Sequence, residues 1–412
     1  MNIANMGSIG LVLCCALLAG CSRGTLGSLP VADGSRASAA SFALSPGTAT
    51  LFSQRLGSGN ARFKTLYRFK GTPDGANPSS SLLDVGGTLY GTTVYGGSSN
   101  RGTVFTVSKS GVENVLLNFN LQNGRGPFGG LIYVNGLLYG TTSAGGAHDY
   151  GTVFKITPPG KETVLHSFDH NGSDGYFPVA GLVYVDGALY GTTLGGGVSG
   201  SEGTVFKITP SGTETVLHSF NLNNKDGVEP TAGLTYFDGA LYGTTQFGGS
   251  SGLGTVYKIT LSGTETVLYS FRGQQSLDGM LAASGLINVD GALYGTTVQG
   301  GSECGGANGC GTVYKVTPSG VESVIYSFTG RASSGRSPTE ALLDVNDTLY
   351  GATEGSLFKL TTSGIETGLH QFTGSNGSLP TALIDVNGLL YGATRLDGPG
   401  SQGNGFIFSL AP

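Results

Sequence analysis

The sequence predicts an all-β fold, a seven-bladed β-propeller of four-stranded antiparallel blades, on three observations. The tripeptide Leu-Tyr-Gly begins at Leu89, Leu138, Leu189, Leu241, Leu293, Leu349 and Leu390, with spacings of 41 to 56 residues, the period of propeller blades rather than of a β-helix coil. Each unit contains four short β-rich runs separated by turn signals. The chain finishes on Gly405-Phe-Ile-Phe-Ser-Leu410, which matches a third strand, while Phe63-Lys-Thr-Leu-Tyr-Arg-Phe69 near the start matches a fourth. An N-terminal strand can therefore complete the last blade and leave no free sheet edge.

Composition agrees. The 412 residues include 74 Gly, 18 Tyr, 20 Phe and no Trp, with only 11% charged residues and a net charge of −5. So much glycine demands turns, and the aromatic and aliphatic content rules out disorder because a core is available. Nothing basic enough to bind nucleic acid is present.

Residues 1–20 read as a signal peptide. Ile9 to Ala19 is an apolar run too short to span a bilayer. It ends in Leu18-Ala19-Gly20-Cys21, which resembles the lipobox of bacterial lipoproteins. That resemblance implies lipidation of Cys21, and Ser22 after it fits sorting to the outer membrane. Met1 to Gly10 lacks the Lys or Arg usual in such a leader, so an ordinary cleaved secretory signal stays open. Residues 21–62 are rich in Ser, Gly and Ala without periodicity and read as a flexible tether. Once the signal leaves with Cys14 and Cys15, Cys304 and Cys310 are the pair left in residues 63–412, the propeller. Six apart in a presumed oxidising compartment, they predict a loop-closing disulfide, since a metal site would need two more ligands nearby.

Residues 181–220 serve as the type unit. Leu182–Val185 and Ala188–Thr193 flank Asp186-Gly187, the pair favoured in a two-residue type I′ hairpin. Thr204–Thr209 follows, then a Pro210-Ser-Gly turn, then Thr215–Phe220. The full repeat, Leu-Tyr-Gly-Thr-Thr-x-x-Gly-Gly to Gly-Thr-Val-Phe-Lys-Ile-Thr-Pro and Thr-Val-Leu-x-Ser-Phe, resembles the tandem GloVer repeat of bacterial "choice-of-anchor" surface proteins. The resemblance spans roughly residues 63 to 412 and implies an exported, surface-attached repeat protein. It implies no chemistry. The sixth copy lacks the Gly-Gly loop, and the seventh replaces the strand-opening Thr with Phe406.

Loop lengths choose a working face. The first and third turns of each blade are minimal, whereas the second turn and the crossover, such as Gly195–Gly203 and Asp169–Ala180, are long and variable. Both long connections emerge on one side, where binding is expected.

Candidate chemistry is sparse. Asp186, Asp238 and Asp290 read as turn formers, as do the crossover residues Asp74, Asp174, Asp226 and Asp278. His166, His218 and His370 share a position with Tyr269 and Tyr326 on the outermost strand. They read as half-buried rings that cannot meet on one metal, and His148 and His170 stand alone in loops. On the innermost strand one position runs Asp84, Tyr133, Tyr184, Tyr236, Asn288, Asp344 and Asp385. Asp84, Asp344 and Asp385 fall on consecutive blades and are the weak candidates for an acid/base pair. No cofactor or metal is expected. The expected function is a lipid-anchored, non-catalytic binding module of the cell envelope, facing the periplasm or the cell surface, whose partner is an extracellular polysaccharide or an envelope protein. The alternative is a propeller enzyme, a glycoside hydrolase or lyase-like protein, acting on extracellular polysaccharide.

Overall fold

The computed structural model describes residues 62–158, 160–198, 202–222, 226–302, 304, 308–331, 335–373, 377–397 and 403–412. The expected signal peptide, the lipidation at Cys21 and all but the last residue of the expected tether lie outside the described residues. Arg62, the last residue assigned to the tether, opens the first strand.

Seven antiparallel blades of four strands form a β-propeller. Blade 3 is built from Val183–Val185, Ala188–Thr193, Thr204–Ile208 and Glu214–Ser219. Its first hairpin turns through Asp186 at φ 48° and Gly187 at φ 83°, both positive as a type I′ turn requires. Every blade has the same pair of positive φ values here, including Asn346 and Asp347 in blade 6.

Closure follows the expected route. Arg62–Arg68 pairs with Phe406–Ala411, from Arg62 opposite Ala411 to Arg68 opposite Phe406 with a bulge between Thr65 and Tyr67, and completes blade 7. Small additions were not legible in the sequence. Gly175–Tyr176 pairs with Gly195–Gly196, and Gly227–Val228 with Phe247–Gly248, so the crossover folds back onto the exit of the second strand.

The repeat motif is explained residue by residue. The glycine of Leu-Tyr-Gly faces the aromatic of the third strand: Gly191 lies opposite Phe206 and Gly243 opposite Tyr257. A Cβ on Gly191 would stand 2.6 Å from Phe206 Cζ, so the ring fills the space a side chain would take. The first Thr after it donates to a backbone carbonyl of the next crossover, Thr192 to Ala232 at 3.1 Å. The second Thr closes the strand pair, Thr193 Oγ1 lying 2.7 Å from Thr204 Oγ1. In blade 7, where Phe406 replaces that partner, Thr394 Oγ1 is buried and unpaired.

Neighbouring blades are joined by a recurring aromatic pair. Phe168, at the end of blade 2, packs edge-on against Phe206 of blade 3 with centroids 5.2 Å apart. Equivalent pairs occur at all seven joints, from Phe69–Phe105 to Phe372–Phe408. Such a pair contributes about 0.5–1.5 kcal/mol beyond area burial.

Gly191→Ala is expected to destabilise the fold by about 1–3 kcal/mol in urea unfolding, the cost of forcing atoms into a filled core. Gly355→Ala, where a Cβ meets nothing within 4 Å, should change stability by no more than about 0.5 kcal/mol. Equal effects would dismiss the ring-on-glycine contact as a constraint.

Candidate functional site

The long-loop face is built on a ring of strained backbone. Each crossover has a residue in the left-handed region at one equivalent position: Asn77, Gly126, Phe177, Glu229, Leu281, Ser337 and Leu379, with φ between 51° and 62°. Six of the seven are not glycine, and in bulky residues such a φ is an outlier that costs energy. The backbone holds each one in place. Its N–H donates to the carbonyl of the residue just before the third-strand motif, as Phe177 to Tyr150 and Glu229 to Glu202, at 2.7–3.0 Å around the whole ring. The conformation is common to all blades while the side chain differs in nearly every one.

Phe177 belongs to a cluster of rings on this face. Tyr150, His170, Tyr176 and Phe177 lie with centroids 5.0–5.9 Å apart. His170, read as solitary, packs against both tyrosines. Burial, followed by the nearby Tyr150 and Glu202, raises the Tyr176 phenol above its usual range. Nearer the first strands, Arg395 reaches Glu340 at 3.4 Å and the carbonyl of Ser79 at 3.5 Å.

Asp84, Asp344 and Asp385 occupy the middle of their three-residue first strands, as expected. Asp344 is exposed, and Asp385 accepts a bond from the Gly388 N–H at 3.3 Å within its own turn. Burial, then Asp347 and Asp290, raises the Asp344 carboxyl. Among the described residues, two groups of three His, Asp or Glu side chains bring their ligand atoms within 4.8 Å of one another, and neither includes these three aspartates. Cys304 and Cys310 are joined as a disulfide.

Those two groups were not anticipated. The crossover aspartate does form its turn, Asp174 Oδ1 accepting the Gly175 N–H at 2.7 Å. Its other oxygen accepts the Asp169 N–H and meets His166 Nε2, both at 3.0 Å. Glu214, opening the fourth strand of the next blade, completes the group, and His218, Asp226 and Glu265 repeat it one blade on. At Tyr67–Asp74 and Tyr269–Asp278 a phenol donates to the aspartate at 2.7 Å instead. The histidines thus meet carboxylates rather than one another. The overlooked signal was the Glu at this position in six copies, Glu113, Glu162, Glu214, Glu265, Glu322 and Glu366, with Phe63 in the seventh. Phe63 stacks on His370 with centroids 4.0 Å apart.

Burial, reinforced by the neighbouring aspartate, pushes Glu113, Glu214, Glu265 and Glu322 up to about 7. One oxygen of each is buried without a hydrogen-bond partner.

Fold and face together define a seven-bladed propeller built from a single repeat. A model of the Gloeobacter/Verrucomicrobia repeat matches residues 24–201 and 182–408, and the chain belongs to that family. No curated protein matches. Among solved structures, one chain of a nidogen/laminin complex aligns with a TM-score of 0.41 and 12% identity, covering 68% of this chain and 90% of that one. A gluconolactonase from Xanthomonas campestris aligns with a TM-score of 0.46 and 13% identity, covering 86% and 90%. At that distance neither likeness bears on function.

The raised glutamates have a consequence for stability. Between pH 4.5 and about 7 the unfolded chain has lost these protons while the folded one still holds them. Unfolding free energy should therefore fall as pH rises through that window. In urea unfolding with EDTA present, changing the four glutamates to Gln should flatten this fall. Stability that climbs across the window, or an unaltered slope in the variant, would contradict the assignment.

Proposed function

We propose that the chain is an exported, lipid-anchored propeller that binds an extracellular polysaccharide, without catalysis, through its long-loop face. The observation that carries this reading is the ring cluster of Tyr150, His170, Tyr176 and Phe177, set on the ring of left-handed residues. Aromatic faces stack on sugar rings, and bulky side chains held in a costly backbone conformation are expected where function requires them. A different side chain at each blade suits an extended polymer touched at several points. An envelope protein is the other class of partner for the same face.

The test is retention of residues 62–412 on immobilised polysaccharides of different backbones. At least one matrix should retain the protein, and Phe177→Gly with Leu379→Gly should weaken retention at least tenfold. The same changes should leave the protein folded, read as an unaltered circular-dichroism spectrum, because glycine adopts the left-handed backbone of these positions without strain. Failure on every matrix would sink the sugar reading and move the search to envelope proteins. Release of sugar fragments that disappears with Asp84→Asn and Asp385→Asn would make the protein an enzyme instead.

A further inference from the structure

The two His–Asp–Glu groups sit on the outer rim, at the joints between blades 2 and 3 and between blades 3 and 4. Each brings one imidazole nitrogen and two carboxylates together from three separate stretches: the fourth strand of one blade, the crossover after it, and the fourth strand of the next blade. The aspartates are almost fully buried, at 8% exposure for Asp174 and 5% for Asp226. His166 Nε2 lies 3.0 Å from its aspartate and His218 Nε2 lies 2.8 Å from its own. The glutamates leave Glu214 Oε1 and Glu265 Oε1 buried and unpaired. A divalent cation would take the place of the proton on the glutamate, join the two carboxylates to the imidazole and give the unpaired oxygen a partner.

We propose that each group binds one divalent transition-metal ion of the zinc type, through His166, Asp174 and Glu214 at one joint and His218, Asp226 and Glu265 at the other. The donor set selects the ion. One imidazole and two carboxylates suit zinc and its neighbours, whereas calcium and magnesium favour oxygen alone. Zinc bonds of about 2.0–2.2 Å put tetrahedral ligand atoms roughly 3.3–3.6 Å apart, so the His–Asp pair, now at 2.8–3.0 Å, has to open by about half an ångström while the rest of a group already within 4.8 Å closes in. Access is provided at the first site by a groove of about 610 Å³, lined by His166, Asp174 and Glu214 and reaching His218. A water from that groove can fill the fourth position.

The remaining joints supply the contrast. Tyr67, Tyr269 and Tyr326 replace the histidine, the first two donating to Asp74 and Asp278 and the third to Glu366 at 3.4 Å. At another, Asn123 replaces the aspartate and donates to Glu162 at 2.6 Å. Where Phe63 replaces the glutamate, His370 is stacked and burial lowers its pKa. Among the described residues none of these joints brings three ligands together, so the expected stoichiometry is two ions per chain.

The repeat itself supplies the control substitution. Tyr stands at the histidine position in three copies, and at two of them it donates to the crossover aspartate, so His166→Tyr and His218→Tyr should keep the lock while removing the imidazole ligand. The full chain, purified in detergent without a histidine tag and stripped with EDTA, is titrated with Zn²⁺ by calorimetry and then with Co²⁺ to read ligand-field bands. Two saturable equivalents are expected, one in each single variant and none in the double variant, whose melting temperature in EDTA should match that of the parent. No saturable binding, or binding that survives in the double variant, would overturn the proposal.

Discussion

Everything in this propeller depends on an aromatic ring lying on a glycine. The third-strand Phe or Tyr covers the backbone of the Leu-Tyr-Gly glycine within its own blade, and receives the edge of a Phe from the blade before it. One ring thereby fills the interior of a blade and forms the joint to its neighbour. This explains why glycine stands in the middle of a buried strand, where it would otherwise weaken pairing. Each blade presents the same two surfaces to its neighbours, so the seven copies can close into a circle.

The periodic part of this architecture was readable in the chain. Asp186-Gly187 and its equivalents announce their hairpins through a local rule about φ, and the odd strands at either end announce closure. The rim groups were harder to read. Asp174 and Glu214 are one repeat apart, and what joins them is the packing of successive blades rather than any local spacing. The interchange of His and Tyr on the outermost strands looked like a preference for half-buried rings, and at Tyr67, His166, His218 and Tyr269 it is one with an aspartate as the polar partner. The left-handed ring was invisible for another reason. Asn77, Phe177, Glu229 and Leu379 share no chemistry, and the proline after each disfavours the helical region without announcing a positive φ.

Two kinds of variation coexist in this repeat. On the long-loop face the backbone is constant and the side chains change, a pattern suited to recognition at several points. On the rim one position is filled by His or Tyr, and either ring can hold the crossover through its aspartate. The first kind makes the blades different to a ligand. The second leaves them equivalent to one another as building blocks.

The pairing of Arg62–Arg68 with Phe406–Ala411 also bears on how the chain is made. The earliest strand of the propeller has to wait for the latest one, across nearly the whole length of the repeat array, before either is satisfied. Contacts so distant in sequence are slow to form. A ribosome that stops short of residue 406 therefore yields six blades and two unpaired edges, a form open to proteolysis and aggregation. The ring can lock only once residues 406–411 have been made, so the strand that closes the last blade separates chains that reach it from chains cut short before it.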